Sequence, residues 1–224
     1  MTNLEINEKE ISQDISQEEI LRHVDHTNLK PTATEADIKK LCDQAIEHGC
    51  ASVCIPPSYV GFAKRYVGGK LAVCTVIGFP NGYNSTAAKV VETVDAVIMG
   101  ADEIDMVINL GWVKDGKFEL IADEIAQVRN ACKKQALKVI VETCFLTEAE
   151  KIKMCEIVTS AGADYIKTST GFGSGATLSD VRLFAEHVGE GVKINAAGGI
   201  RDLATAAAFI AAGAERIGAS SLIG

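Results

Sequence analysis

Tyr165-Ile166-Lys167-Thr168-Ser169-Thr170-Gly171 is the stretch around which the chain is ordered: an apolar run delivers a single lysine into hydroxyls and a glycine. Gly162 precedes it as a turn, Asp164 to Lys167 reads as a short strand, and Gly171-Phe172-Gly173-Ser174-Gly175 reads as the loop that follows. Lys167 then stands at the C-terminal end of a strand and faces a loop. In a β/α barrel that rim carries the chemistry, and an amine partly withdrawn from water there releases its proton more readily. A neutral amine can attack a carbonyl carbon and form an imine. The competing reading is a lysine whose stem follows the strand and surfaces at its end.

Outward from this stretch the element types alternate. Residues 1–15 are polar, lack an apolar period and include Glu5, Glu8, Glu10 and Asp14, which predicts a mobile lead-in before a single domain over 16–224. Ser16 and Glu19 have capping-box spacing ahead of Ile20, Leu21 and Val24. Strands are read at Asp25–Leu29, Ala51–Ile55, Leu71–Ile77, Glu103–Ile108, Leu137–Glu142, Asp164–Lys167, Val192–Asn195 and Arg216–Gly218. Helices are read between them at Thr34–Gly49, Ser58–Val67, Thr86–Met99, Phe118–Gln135, Glu148–Ala161, Leu178–His187 and Leu203–Ala212, with none after the last strand. Eight strands exchanging with helices in 224 residues predict a (β/α)8 TIM barrel, with a doubly wound open sheet as the alternative.

A net charge of −8 leaves no basic face to track a phosphate backbone, so nucleic acid is not an expected partner. No apolar run reaches the ~18 residues needed to span a bilayer, and the acidic N-terminus is not leader-like, which predicts a cytoplasmic protein without a membrane partner. The seven cysteines are an odd number scattered among apolar neighbours and read as reduced core thiols.

Polar residues at strand ends are the candidates for chemistry. Asp25 and Thr27 come from the first strand, Cys54 from the second, Asp105 from the fourth, Glu142 and Thr143 from the end of the fifth, Lys167 from the sixth and Asn195 from the seventh. A carboxylate inside an apolar strand must be paired or used, and Lys167 is the partner expected for Asp105; a purely structural ion pair is the alternative. Three glycine-bearing loops follow the last three strands: Thr170-Gly171-Phe172-Gly173, Gly198-Gly199-Ile200-Arg201 and Gly218-Ala219-Ser220-Ser221. Glycines let backbone N–H groups approach an anion, and barrels often bind phosphate with their last loops. His23-x-x-His26 with Asp25, and Cys50-x-x-x-Cys54, lack the further ligands of a conventional metal site, so no metal is expected. The glycines of the sixth loop lack the full dinucleotide fingerprint, so no nicotinamide cofactor is expected either.

These residues together resemble deoxyribose-phosphate aldolase, the Schiff-base aldolase family that joins acetaldehyde and glyceraldehyde 3-phosphate reversibly. The resemblance is carried over nearly the whole chain by Asp25-His26-Thr27-x-Leu29-Lys30-Pro31, Val53-Cys54-Ile55-x-Pro57, Val76-Ile77-Gly78-Phe79-Pro80, Glu103-Ile104-Asp105-Met106-Val107-Ile108-Asn109, Val141-Glu142-Thr143-Cys144, Tyr165 to Phe172 and Gly198-Gly199-Ile200-Arg201. It implies a TIM barrel without cofactor, Lys167 as the Schiff-base lysine, and Asp105 as the acid/base working through ordered water. It also implies that Gly171, Gly198, Gly199, Gly218, Ser220 and Ser221 bind the phosphate of a small phosphorylated sugar. A homo-oligomer, a dimer, is the expected assembly. One departure bears on activity: the family's second lysine, three residues before the paired glycines, is Asn195 here, and Lys193 is the candidate substitute. The alternatives to an aldolase are a phosphosugar isomerase and a non-catalytic phosphosugar-binding barrel.

Overall fold

The computed structural model describes residues 15–223, so the predicted lead-in, Ile15 apart, lies outside the described residues. The strands are β1 (Val24–Thr27), β2 (Ser52–Ile55), β3 (Ala72–Ile77), β4 (Glu103–Val107), β5 (Ala136–Ile140), β6 (Tyr165–Lys167), β7 (Lys193–Ala197) and β8 (Arg216–Ala219). Each pairs in parallel with the next, and β1 pairs with β8, Val24 opposite Ile217, which closes the sheet. Closure rules out the open doubly wound alternative; the fold is the (β/α)8 barrel.

Local sequence explains where the helices start. Ser16, Thr34 and Thr147 each accept a backbone N–H three residues on, and Glu19, Asp37 and Glu150 return the bond, so three helices (Gln17–Arg22, Glu35–Glu47, Glu148–Ser160) open with capping boxes. Side chains of Ser85, Thr177 and Asp202 cap three more, at Thr86–Met99, Leu178–His187 and Leu203–Ala211. Strands buried on both faces read as nearly continuous apolar runs, which is why they were visible.

The differences from expectation lie at the joints. β5 stops at Ile140 because Glu142 adopts a left-handed backbone, φ 51°, and a 3-10 turn at Thr143–Phe145 follows. The helix expected to Gln135 ends at Ala131, and the Asn109 side chain caps an unanticipated five-residue helix, Leu110–Lys114. All seven cysteines are free; Cys144 is exposed, against the expectation of a core thiol, because it rides that 3-10 turn. None of the described helices is long and apolar enough to cross a membrane.

One ion pair outside the barrel braces the wall that carries the site. Lys89, on the helix Thr86–Met99, donates to Glu124 Oε2 and to the Val107 carbonyl at the end of β4, both at 2.8 Å, and both side chains are fully buried. Burial pulls the Lys89 pKa down and pushes that of Glu124 up, each opposed by its partner's charge. Removing one partner strands the other in the interior. Lys89→Met is therefore expected to lower the unfolding free energy by about 3–5 kcal/mol. The double variant Lys89→Met/Glu124→Leu, with no orphan charge, should lose clearly less by urea titration; a double loss equal to the sum of the two singles would disprove the coupling.

Candidate active site

β4 and β6 bring two of the predicted residues together. Asp105 and Lys167 point into the barrel, both almost wholly buried, with Lys167 Nζ 2.5 Å from Asp105 Oδ2. The other carboxylate oxygen of Asp105 accepts from Lys138 Nζ at 2.9 Å. Lys138 sits opposite Asp105 in the β4–β5 register, is fully buried, and also reaches Glu103 at 2.6 Å and Asp25 at 3.6 Å. Arg216, at the start of β8, completes the set by donating to Asp25 and Glu103. Three carboxylates (Asp25, Glu103, Asp105) thus face three cations (Lys138, Lys167, Arg216) inside the barrel.

This balance fixes the protonation states. Desolvation is the largest influence on Lys167 and acts to lower its pKa; Lys138 acts in the same direction, but the Asp105 carboxylate outweighs them and leaves the pKa raised. Burial pushes the Asp105 and Asp25 carboxyls up, and the neighbouring cations, Lys138 foremost, pull both below the usual carboxylate range. Lys138 is held well above its ordinary value against its own burial, chiefly by Asp105 and Asp25. In this resting network Lys167 is an ammonium.

Position 195 joins the same network. Asn195 lies beside Lys167 in the β6–β7 register, fully buried, and its Nδ2 donates to Asp25 Oδ2 at 2.8 Å while its Oδ1 has no partner. It brings no charge toward Lys167. The candidate substitute, Lys193, is not brought to the site: it faces Tyr165 at the opposite mouth of the barrel, half exposed, 3.4 Å from Glu215 and over the Tyr165 ring. Two residues of strand, about 6.6 Å, separate the levels. Asp25 and Cys54 are likewise placed below the cleft floor, not in its lining. Asp25 is held by Ser52, Asn195 and Arg216, and Cys54 is fully buried beside Cys74 and Asp105. Cys54 Sγ, Cys74 Sγ and an Asp105 oxygen lie within 4.8 Å of one another, a grouping a cation could use, but Asp105 already accepts from both lysine ammonium groups.

Above Lys167 opens a cleft of about 740 Å3. Its lining runs round the barrel rim from Thr170 and Gly171 after β6, through Gly198, Gly199 and Arg201 after β7 and Gly218, Ser220 and Ser221 of β8 and its loop, to Thr27 of β1, with Lys167 at the floor. The loops after β6 and β7 touch backbone to backbone. The Ala176 N–H donates to the carbonyls of Ala197 and Gly198 at 3.1 Å, and a Cβ on Gly198 would stand 2.9 Å from Gly175 Cα. Only glycine permits that approach. The result is a concave, glycine-lined rim with Arg201 and two serine hydroxyls exposed along it, suited to an oxyanion. Phe172 closes the near side, its ring edge-on to Phe79 at 5.5 Å.

Lys138, Glu103 and Arg216 were missed in the sequence, although Lys138 carried the same mark as Asp105, a charged residue inside an apolar strand. His23 and His26 take local roles: His23 Nδ1 is 2.7 Å from the Glu215 carbonyl and His26 Nε2 is 3.3 Å from Gln44 Oε1.

A buried lysine paired with a carboxylate under a glycine-lined rim, inside a closed (β/α)8 barrel, is an arrangement of the class I aldolase type. Residues 20–223 match the DeoC/LacD family aldolase, and the chain belongs to that family. It is 57% identical over 204 residues to a deoxyribose-phosphate aldolase of Clostridioides difficile (strain 630), covering 91% of this chain and 93% of the relative. It is 58% identical over 206 residues to a deoxyribose-phosphate aldolase of Streptococcus pyogenes serotype M4, covering 92% of each. Among solved structures, the tetrameric deoxyribose phosphate aldolase of Aeropyrum pernix superposes with a TM-score of 0.87 at 30% identity, over 96% of this chain and 93% of that one.

Proposed function

We propose that this chain cleaves 2-deoxy-D-ribose 5-phosphate reversibly to D-glyceraldehyde 3-phosphate and acetaldehyde through an imine on Lys167, slowly at neutral pH because of Asn195. The observation that carries the reading is the buried Lys167–Asp105 pair on the floor of a glycine-rimmed cleft, in a chain of the aldolase family. The Lys167 amine adds to C1 of the open-chain sugar and water leaves, giving an iminium that draws electrons toward nitrogen. The C3 hydroxyl loses its proton, the C2–C3 bond breaks, glyceraldehyde 3-phosphate departs and an enamine remains on Lys167. Protonation of the enamine carbon and hydrolysis release acetaldehyde. Asp105, in contact with Lys167 Nζ, is the group proposed to move these protons through water.

Borohydride added during reaction with deoxyribose 5-phosphate should leave a stable adduct on Lys167 by mass spectrometry. An isomerase or a binding-only barrel forms no imine, and turnover without any trapped lysine would refute the aldolase reading. The rim gives a second measurement. Ser220→Asp places a carboxylate where the phosphate is proposed to sit, and should raise KM for the phosphorylated sugar by about tenfold to a hundredfold while leaving that for free deoxyribose nearly unchanged. Equal effects on the two sugars would move the phosphate elsewhere.

The same reading takes the protein to work in the cytoplasm as a homo-oligomer, a dimer or a multiple of one. Val91, Val94 and Ile98 support assembly: they stand exposed at helical spacing on the helix Thr86–Met99, an apolar stripe that sedimentation at micromolar concentration would find covered or free.

A further inference from the structure

Glu142 is the one non-glycine residue with positive φ among the described residues, at 51° and ψ 67°, a conformation L side chains adopt only against steric resistance. Its side chain is buried and lies outside the cleft lining. What holds it there is the loop after β6. Glu142 Oε2 accepts the Thr170 N–H at 3.1 Å and also the Thr170 hydroxyl; the same hydroxyl oxygen accepts the Phe172 N–H at 3.1 Å. Two groups of the loop are thereby fixed on one carboxylate oxygen, the Phe172 N–H is tied in through the Thr170 hydroxyl, and Gly171 is held between. The other oxygen faces Gly173, where a Cβ would stand 3.1 Å from it and 2.9 Å from Cys144 Sγ, so the loop wraps the carboxylate with no room for a side chain. Thr170, Gly171 and Phe172 are the residues that this wrapping presents to the cleft.

We propose that Glu142 is a positioning residue for the phosphorylated end of the substrate: its carboxylate, locked in the left-handed turn after β5, shapes the Thr170–Gly173 loop into the part of the anion cradle that abuts Gly198. This rests on the reading of the cleft as a phosphosugar site. A flexible loop must be ordered when ligand binds; one already pinned by charge-assisted hydrogen bonds need not be. The turn itself would accept glycine readily, so strain and carboxylate can be separated by substitution.

Glu142→Gly keeps the backbone and deletes the clamp. It should raise KM for deoxyribose 5-phosphate by about tenfold or more, and leave the rate of borohydride trapping with acetaldehyde, which has no phosphate, within about twofold. Glu142→Gln, whose single amide oxygen can accept both Thr170 bonds, should restore most of the affinity. An unchanged KM in the glycine variant, or acetaldehyde trapping that falls as far as phosphosugar affinity, would overturn the proposal. Should the glycine variant not fold, Thr170→Val removes the hydroxyl that joins Glu142 to the Phe172 N–H while keeping the Thr170 N–H bond, and an unchanged KM there would also overturn the proposal. Calorimetric affinity for inorganic phosphate, expected to weaken by the same factor in the glycine variant, needs no turnover. If the unsubstituted protein traps no imine, the aldolase reading falls while the phosphate measurement still decides the role of Glu142.

Discussion

Lys167→Ala should abolish both borohydride-trapped adduct and turnover, the latter by roughly four orders of magnitude or more, as expected when a covalent nucleophile is removed. Lys30 and Lys40 also line the cleft, but Lys167 is the lysine buried on its floor, in contact with the carboxylate proposed to move protons. The substitution also takes one of three cations from the barrel interior. Asp105 keeps Lys138 at 2.9 Å, so it stays paired, but a loss of stability should accompany the loss of activity. Lys167→Met, which retains the length of the stem, separates these effects: it should be the more stable of the two variants and equally inactive. Adduct persisting in either one would remove Lys167 from the proposed role.

What made Lys167 and Asp105 readable in the sequence was contrast, since a charge in an apolar strand has to be answered by another charge. Lys138 gave the same contrast and went unread because it stands second in the run Leu137-Lys138-Val139, where a lysine is easily taken for a strand entering from solvent. The fifth-strand lysine and the fourth-strand aspartate become neighbours only through the register that sets Asp105 opposite Lys138. Sequence alternation gives the face of a strand but not its register with the next. The same gap hid the level of Asp25, which its pairings with Ser52 and Gly218 set below the cleft, whereas the two-residue offset of Lys193 from position 195 along one strand was legible as a difference in depth and holds. Closure was undecided for a related reason, since the β1–β8 pairing joins residues almost the whole chain apart. Glu142 was legible as a polar residue at the end of the fifth strand, but its role was not. Its role follows from the sign of φ, which an acidic side chain does not announce, and it passed for the end of β5.

Asn195→Lys should raise activity at pH 7 by about tenfold to a hundredfold. Adjacent strands lie about 4.8 Å apart, and two cations near 5 Å at an effective dielectric of about 20 repel by roughly 3 kcal/mol, some two pKa units off the nucleophile. The register that sets position 195 beside Lys167 puts a new ammonium at about that range. The interior charges point the same way. With three carboxylates against three cations, the present network is neutral when Lys167 is protonated and loses that neutrality when Lys167 gives up its proton. A fourth cation reverses the preference. Because Lys167 has its pKa raised by Asp105, its free-amine fraction grows as pH rises, so the unsubstituted chain should show a rising limb on the alkaline side of neutrality. In the lysine variant that limb moves down in pH, and the advantage shrinks toward unity where both amines are neutral. Asp25, whose Oδ2 now accepts from Asn195 at 2.8 Å, is placed to receive the new ammonium, which limits the cost of burying it. Lys193→Met is the control: that lysine is half exposed and spends its charge on Glu215, so its loss should change the rate by less than about twofold. If Lys193→Met instead costs more than Asn195→Lys gains, Lys193 reaches the nucleophile in solution. If neither substitution moves the pH profile, the repulsion between cations is not what sets the rate, and proton removal from Lys167 must be assisted by substrate binding itself.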